Sequence, residues 1–587
     1  APRQPGVDER VAAEREVFRA HRGAILRAHA HRRPGLETHD PGALEDAYAG
    51  RFRRGREAER VVERVQVAAA IVAQTAGVAV GAEYLPQLVA FEPARAGVAV
   101  VPLEFLLMAA QFLHLPRLER HVQMAPVQVA FDGVPRDPMP EIGTIADLDF
   151  PDVQRAHLSN GIEVVYAHRA AVPITYVAFD FDAGVAADPQ GGFGTQRLML
   201  SSLTSGAGGR DAMQIAEQQE RLGATIGANG TLDRSSLTLT TMSANLGLSL
   251  DLFADVVIRP DFAETEVTRE RNQQLAAIAA EGTQPNGLAQ RTFPALVFGA
   301  NHPYGRPSSG LSSQVSLSPL TRDNLVAFHQ TWIRPETARV FVVSDRPLNE
   351  ITPALNARFG NWRGAAVPVG HKNFDTPIPA PRSRIVIVDR PQSPQSVIYA
   401  GAVLPIRGSD DTLTLNAANE VLGSNFLSRI NTEIRERRGW SYGLSGNVSL
   451  RENQVPYIIN APVQADRTGD SIRVLIEQID AFNSSNGVSE SEHVRTVNGN
   501  IRQLPGSFET AGAVLGALRS NQLYRRPDNY WESVASRYRA MSAAQMDAAA
   551  RAAIDPSRFV WVVVGDASVV RPQLTGLGLD IEVIPAS

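Results

Sequence analysis

The stretches IRPETARVFVVSD (333–345) and IDPSRFVWVVVGD (554–566) decide how the chain is expected to fold. Each contains a proline turn followed by an apolar, β-branched run, which is typical of a buried β-strand. A segment with a helical pattern precedes each stretch, and the two stretches start 221 residues apart. Similar strings at a fixed, long offset indicate that one structural unit occurs twice in the chain.

The beginnings of the two units are also alike. IEVVYAHRAAVPITYVAFDFDAG (162–184) and RIVIVDRPQSPQSVIYAGAVLP (384–405) each contain a short strand, a turn with proline, and a second strand of alternating pattern. Helical segments follow in both units. We therefore predict an α+β fold: a tandem pair of similar two-layer domains, each an antiparallel-rich sheet with helices on one face.

These repeats divide the chain into four parts. The predicted first domain is residues 141–366, a proline-rich linker covers 367–383, and the second domain is 384–587. Residues 1–140 are rich in arginine and histidine and have poor hydrophobic periodicity, so they are interpreted as an irregular, mostly helical N-terminal segment. They remain unassigned, as a linker, an extension or the result of a frame error.

Composition excludes several classes of function. The formal net charge of −5 lacks the basic field of a nucleic-acid-binding protein, so no nucleic acid partner is expected. The absence of cysteine rules out disulfides, thiolate metal sites and cysteine nucleophiles. The apolar run VAAAIVAQTAGVAVGA (67–82) is shorter than the about 20 residues that cross a bilayer, so no membrane span is expected.

Four strings resemble one family of enzymes. LSNGIEVV (158–165), HPYGRP (302–307), FLSRINTEIRERRGWSYGLSG (426–446) and VVVGD (562–566) are similar to the pitrilysin/insulinase-type zinc metallopeptidases, the inverzincins. The resemblance covers about residues 141–587. Active members carry H-x-x-E-H on the first helix after the opening strands, and a distal glutamate completes the zinc site.

This sequence lacks that zinc motif. Laid on the family's helix, GTQRLMLSSL (194–203) places Arg197 and Ser201 where the histidines would stand and Leu200 where the glutamate would stand. The distal helix offers Ala276 and Ala277 around the third ligand. The resemblance therefore implies no metal or other cofactor in this chain, which is similar to the zinc-free, C-terminal-like half or subunit, with the zinc expected on a partner half.

In the family, the zinc-free half contributes an arginine and, seven residues later, a tyrosine, which reach the bound peptide. Arg435 and Tyr442 have this separation and lie in the matching string. The resemblance implies that both bind substrate and take part in catalysis. An arginine provides a planar fork for a peptide carbonyl, and a tyrosine hydroxyl can donate beside it.

The residues alone leave a simpler alternative open. Arginines suit the negative end of a helix, Gly439 suits the left-handed position after it, and Tyr442 fits an alternating strand that starts at Trp440. In that interpretation Arg435 is a solvated charge and Tyr442 a core aromatic. The preceding helix would be capped by Ser424 or Asn425, with the apolar stripe Phe426, Leu427, Ile430 and Ile434.

The resemblance implies a function together with a partner. The chain would bind extended peptide by adding it as a strand to a sheet edge, and would supply Arg435 and Tyr442 to a composite active site. The partner would be a zinc-bearing pitrilysin-type subunit or an upstream half of the same protein. The alternative is a catalytically silent structural or scaffold subunit of the same fold. A periplasmic location is expected by analogy with bacterial relatives.

Overall fold

The computed structural model describes residues 147–586. The unassigned segment 1–140 and the apolar run at 67–82 lie outside these residues. Within the described part, the predicted α+β class is confirmed, because two six-stranded sheets are flanked by helices. No helix in this part of the chain is long and apolar enough to cross a membrane.

The strands fall in two groups, one on each side of a long segment without helix or strand (residues 361–383). They are β1 Val153–His157, β2 Glu163–His168, β3 Ile174–Phe181, β4 Gly206–Ala207, β5 Arg210–Asp211, β6 Ala224–Gly230, β7 Ser235–Met242, β8 Ala338–Ser344, β9 Arg384–Asp389, β10 Gln395–Arg407, β11 Ser445–Val448, β12 Gln454–Gln464, β13 Val560–Gly565 and β14 Asp580–Pro585.

The helices are α1 Thr195–Ser202, α2 Ala212–Leu222, α3 Leu246–Ile258, α4 Glu264–Gly282, α5 Pro285–Phe298, α6 Gln314–Leu317, α7 Arg322–Trp332, α8 Leu348–Phe359, α9 Leu413–Asn419, α10 Arg429–Asn431, α11 Thr468–Asn483, α12 Glu490–Ser507, α13 Ala511–Leu523, α14 Tyr530–Ala540, α15 Ala543–Ala553 and α16 Ala567–Leu574. Two π-helical stretches, Glu420–Ser424 and Thr432–Arg437, directly continue α9 and α10.

Five strands of each sheet share a topology, and only the sixth, an edge strand, differs between the sheets. The first has the order β1-β2-β8-β3-β7-β6, and the second has the order β11-β12-β10-β13-β9-β14. The two stretches that repeat in the sequence become β8 and β13, which are interior strands of their sheets. Each pairs in parallel with the first strand of the repeated opening and antiparallel with the second. All other pairs are antiparallel except β14 with β9. The repeat in sequence is therefore a repeat in structure.

Side chains alternate across β8 and give both faces of the first sheet a buried apolar surface. Val340 and Val342 face the helices of their own half. Phe341 and Val343 face the opposite way, where α13 from the second half packs against the strand. In return, α5 from the first half packs on β10 and β13. Each sheet has its own helices on one face, as expected, and a helix of the other half on the second face.

Lys372, the only lysine in the chain, lies in the segment that joins the two sheets and is 4% exposed. Its ammonium group is 2.5 Å from the Asp182 carboxylate, 3.0 Å from the Asp233 carbonyl oxygen and 3.4 Å from Glu452. Arg234 bridges Asp182 and Glu452 beside it. Because these partners come from both halves, the buried cation ties the halves together.

Lys372→Met is expected to lower the free energy of unfolding by about 2 kcal/mol, because it removes the charge-assisted bonds from a buried ammonium group to the partly exposed carboxylates of Asp182 and Glu452. Urea unfolding followed by tryptophan fluorescence measures the change. Arg346→Met is the matched control, since Arg346 pairs with Glu350 at 3.5 Å on the surface and such pairs contribute less than about 1 kcal/mol. Equal effects of the two substitutions would contradict this role of Lys372.

Candidate functional site

Helix α1 carries the positions where the sequence comparison places the lost zinc motif. Asp188 fixes its start: Oδ2 accepts a hydrogen bond from Gly194 N at 2.7 Å, and Oδ1 accepts one from Gln196 N at 2.6 Å. Burial raises the pKa of Asp188 to about 7. A carboxylate at this end suits the unpaired N–H groups of the first helical turn. The fold therefore holds α1 in a defined position although the zinc motif is absent.

One cavity of about 440 Å³ brings the four predicted positions together. Arg197, Leu200 and Ser201 line it from α1, and Ala277 lines it from α4. Ala276, the other residue considered, is exposed and is not part of the lining. Of the two alanines, Ala277 is the one that faces the cavity.

These side chains do not fit a zinc ion. Leucine and alanine have no donor atom, and a guanidinium group stays protonated and repels a cation. Arg197 Nη1 instead donates to Ser309 O at 2.7 Å, while the carboxylate of Glu270 pairs with Arg269 at 2.7 Å. Across residues 147–586, no three histidine, aspartate or glutamate side chains converge as a metal site.

The second candidate region begins where α9 ends in its π-helical turn. The chain then forms a short exposed loop, in which Phe426 is 60% exposed and Leu427 is 56% exposed. The expected apolar stripe is therefore wrong for these two residues and right for Ile430 and Ile434, which are fully buried. The helix starts only at Arg429, after Ser428, so the two large residues precede it.

Asn431 connects this loop to the segment after the helix. Its Nδ2 donates to Phe426 O at 2.6 Å, and its Oδ1 accepts from Leu444 N at 3.1 Å. The side chain is buried, so both amide atoms are used within the protein. Sequence analysis missed Asn431, because a polar residue in a mostly polar helix gives no signal that its amide is buried and paired.

Arg435 lies one turn further along and also contacts both segments. Its Nε donates to Tyr442 O at 2.8 Å, and its guanidinium lies over the Phe426 ring at 4.4 Å from the centroid. Nη1 pairs with Glu436. The side chain is 31% exposed. Arg435 is therefore more than a solvated charge at a helix end.

Tyr442 is 92% exposed, so the interpretation as a core aromatic is wrong. The expected strand from Trp440 is also wrong, since β11 starts at Ser445. The physical reason is a turn: Ser441 Oγ accepts from Gly443 N at 3.1 Å and donates to Pro462 O at 2.6 Å. Gly439, with φ of +65°, ends the helix as predicted.

The structure thus brings Arg435 and Tyr442 together through the tyrosine's main chain, while the phenol ring points away from the protein. The loop that carries the ring is held at Tyr442 and Leu444. Phe426, Leu427 and Tyr442 form an exposed aromatic and apolar surface, which we call the display surface. Such a surface can contact a peptide, and the Tyr442 hydroxyl can donate a hydrogen bond to it.

The duplicated α+β fold defines the class as a pitrilysin-type peptidase fold, in which the α1 helix of this chain carries no zinc ligands. Two family models match along the chain, "Insulinase (Peptidase family M16)" over residues 163–305 and "Peptidase M16 inactive domain" over residues 319–500. Together they cover more than half of the sequence. The chain belongs to peptidase family M16, the pitrilysin/insulinase-type family, and resembles its zinc-free, inactive-type half.

Known proteins agree with this assignment. The chain is 26% identical over 378 residues to an uncharacterized zinc protease of Mycobacterium leprae, a match that spans 64% of this chain and 81% of the relative. The crystal structure of a peptidase M16 inactive domain from Pseudomonas fluorescens superposes with a TM-score of 0.65 at 23% identity, covering 71% and 98% of the two chains. The crystal structure of the periplasmic protease PqqL from Escherichia coli superposes with a TM-score of 0.60 at 14% sequence identity. This match covers 80% of this chain and 51% of PqqL.

Proposed function

We propose that this chain is the zinc-free half of a composite M16 peptidase. It binds extended peptide together with a zinc-bearing partner and supplies Arg435 and Tyr442 to the shared site. The partner is a second pitrilysin-type subunit or an upstream half of the same protein. Hydrolysis of the peptide bond takes place at the partner, and this chain binds and orients the substrate.

The observation that carries the proposal is the exposed phenol of Tyr442 on a loop that Arg435 and Asn431 hold in place. Exposing a tyrosine ring to this extent forgoes the stabilisation of burying it, about 2 kcal/mol for a large side chain. Holding the main chain at both Tyr442 and Leu444 reduces the conformational entropy that the loop loses on binding. An exposed aromatic donor on a loop with a fixed main chain supports a role in recognising a ligand.

Two groups can act on a peptide at this surface. The Tyr442 hydroxyl can donate to a peptide carbonyl, where it stabilises negative charge that develops on the oxygen. The Nη2 edge of Arg435 makes no hydrogen bond within residues 147–586 and offers a second, charged donor. Because the α1 cavity does not fit zinc, no step of the hydrolysis is assigned to it.

The relatives support the location and chemistry of the proposal. One similar structure is a periplasmic protease, which supports a periplasmic location for this chain. Several relatives are named zinc proteases, which supports a zinc-dependent partner. A peptide substrate follows from the reaction that such enzymes perform.

Affinity purification of the tagged chain from its own cells tests the proposal. We expect a co-purified protein with an H-x-x-E-H motif and bound zinc, and hydrolysis of a quenched fluorescent peptide by the complex. The chain purified without a partner should hold no zinc and should not hydrolyse the peptide. A complex without any peptidase activity would support the scaffold alternative instead.

A further inference from the structure

Helix α12 contacts the chain on both sides of the short exposed loop that opens the display surface. Asn500 Nδ2 of α12 donates to Glu420 Oε2 at 2.8 Å, at the start of the π-helical stretch that leads into the loop. Arg429, directly after the loop, pairs with Glu492 in the first turn of α12. The exposed loop is therefore held from both ends by a helix that carries no residue of the display surface.

Arg429 uses all three nitrogens of its guanidinium in the second of these contacts. Nε and Nη2 donate to the two carboxylate oxygens of Glu492 at 2.9 Å and 2.7 Å, which makes a bidentate ion pair. Nη2 also donates to Gly487 O at 2.7 Å, and Nη1 donates to Asn486 O. The face of the guanidinium lies over the Phe482 ring, 5.0 Å from its centroid. A planar fork with these partners has one orientation, so it fixes where α10 begins.

Glu492 is itself held in place by the start of α12. Its Oε2 accepts hydrogen bonds from Ser489 N at 2.9 Å and from Ser489 Oγ at 2.7 Å, and together with Ser489 it forms a capping box. Burial would raise the pKa of Glu492, but the hydrogen bonds from Arg429 and Ser489 outweigh burial and lower the pKa to about 2. The carboxylate that receives Arg429 is therefore charged throughout the neutral pH range.

The ion pair is shielded from water, since the side chains of Arg429 and Glu492 are 13% and 17% exposed. A shielded pair adds little net stability over apolar side chains of the same volume, because both charges lose their hydration. It does impose one geometry, because any displacement leaves a charge without its partner. Because the pair lies directly after the exposed loop, the geometry that it imposes is that of the display surface.

A series of contacts connects Arg429 to the rest of the display surface. Asn431, in the same helical turn, binds the main chain of the loop before α10 and of the segment after it. The Phe426 ring of that loop lies under the guanidinium of Arg435, 4.4 Å from its centroid. Arg435 in turn donates to Tyr442 O at 2.8 Å. A shift of α10 would therefore move the aromatic residues at both ends of the display surface.

We propose that Arg429 is a positioning residue for the composite peptide site, and that its ion pair with Glu492 holds the display surface where a bound peptide meets it. Neither side chain of the pair touches the peptide. A surface that is already in place loses less conformational entropy when the peptide binds. The consequence for turnover rests on the proposed function, whereas the effect on the display surface needs neither the partner nor its zinc.

Electron paramagnetic resonance of a nitroxide label on the purified full chain measures the positioning. The chain has no cysteine, so Leu427→Cys creates a single labelling site on the display surface, and Val315→Cys creates an exposed reference site in the first half. Arg429→Met is expected to shorten the rotational correlation time of the label at 427 severalfold and to leave the label at 315 unchanged. An unchanged label at 427, in a chain that circular dichroism shows to be folded, would overturn the proposal.

Two milder variants decide the question if Arg429→Met does not fold. Arg429→Lys keeps the charge but not the planar fork, and should give the label at 427 an intermediate mobility. Glu492→Gln removes the charge, keeps an acceptor for Ser489, and should also make the label more mobile. Arg473→Met is the matched control, because Arg473 is an exposed arginine on α11 that pairs with Asp470 at 2.8 Å. Equal label mobility in the Glu492→Gln and Arg473→Met chains would contradict the role of the pair.

Turnover of a fluorogenic peptide by the reconstituted complex tests the consequence for the reaction. Arg429→Lys should lower kcat/KM about tenfold, because a displaced contact surface loses the geometry that the reaction needs. In the Arg435→Ala background it should cost little more, because the display surface is already released there. The same loss in both backgrounds would identify a purely structural role and overturn the proposal. If Arg435→Ala itself leaves turnover unchanged, the proposed function is wrong, and the label mobility still decides the positioning.

Discussion

Arg435→Ala is expected to lower kcat/KM for peptide hydrolysis by the complex by about a hundredfold, the effect of removing one well-placed donor from a charge-stabilising site. The substitution removes the guanidinium that, in the proposed function, donates to the peptide. It also removes the hydrogen bond to Tyr442 O and the contact with Phe426, which together hold the display surface. Turnover of a fluorogenic peptide by the reconstituted complex measures the effect.

Tyr442→Phe removes only the hydroxyl group and should reduce kcat/KM by at least tenfold. Because Arg435 positions the tyrosine, the double variant should lose little more than Arg435→Ala alone, which is the sign of coupled residues. Arg437→Ala is the control: Arg437 is an exposed arginine on the same helix, paired with Glu433 at 2.9 Å, and has no contact with Tyr442. Sedimentation must show intact assembly for all variants. If the Arg435→Ala and Tyr442→Phe complexes both hydrolyse peptide at the unmodified rate, this chain is a scaffold subunit.

A chain with Arg197→His, Leu200→Glu, Ser201→His and Ala277→Glu is expected to bind about one zinc ion, and the unmodified chain is expected to bind none. Positions 197 and 201 lie one turn apart on α1, and position 277 lies across the same cavity. Two histidines at this spacing and a carboxylate from a second helix form a three-ligand site that leaves one position open. The expectation rests on the four positions lining one cavity, so that their new side chains can converge on one ion.

Metal analysis after dialysis measures the zinc content. The matched control has the same changes except that Ser201 becomes alanine, which removes one ligand without altering the other three. It should retain far less zinc. If the four-residue variant folds, as circular dichroism can establish, and holds no more zinc than the control, the assignment of these positions is wrong.

The architecture followed from the sequence because the repeat marks buried strands directly. The apolar runs that became β8 and β13 need burial on both faces, and their fixed offset predicted two equivalent sheets. The exchange of α5 and α13 between the halves could not be predicted. Apolar periodicity shows that a helix face is buried but does not identify the sheet that covers it.

The candidate site was predicted less completely. The resemblance identified Arg435 and Tyr442, and the structure places them in contact through the main chain. Local patterning failed at Phe426, Leu427 and Tyr442, since exposed large residues have the same pattern in sequence as core residues. Asn431 acts through tertiary hydrogen bonds, which a single sequence does not reveal.

Titration of the purified chain into its purified zinc-bearing partner tests the central claim most directly, with peptide hydrolysis and zinc content measured at each step. The account predicts that hydrolysis rises to a plateau at one chain per partner, that zinc stays at one ion per complex, and that the chain alone contributes neither zinc nor activity. Stoichiometric zinc and peptide hydrolysis by this chain without a partner would contradict it.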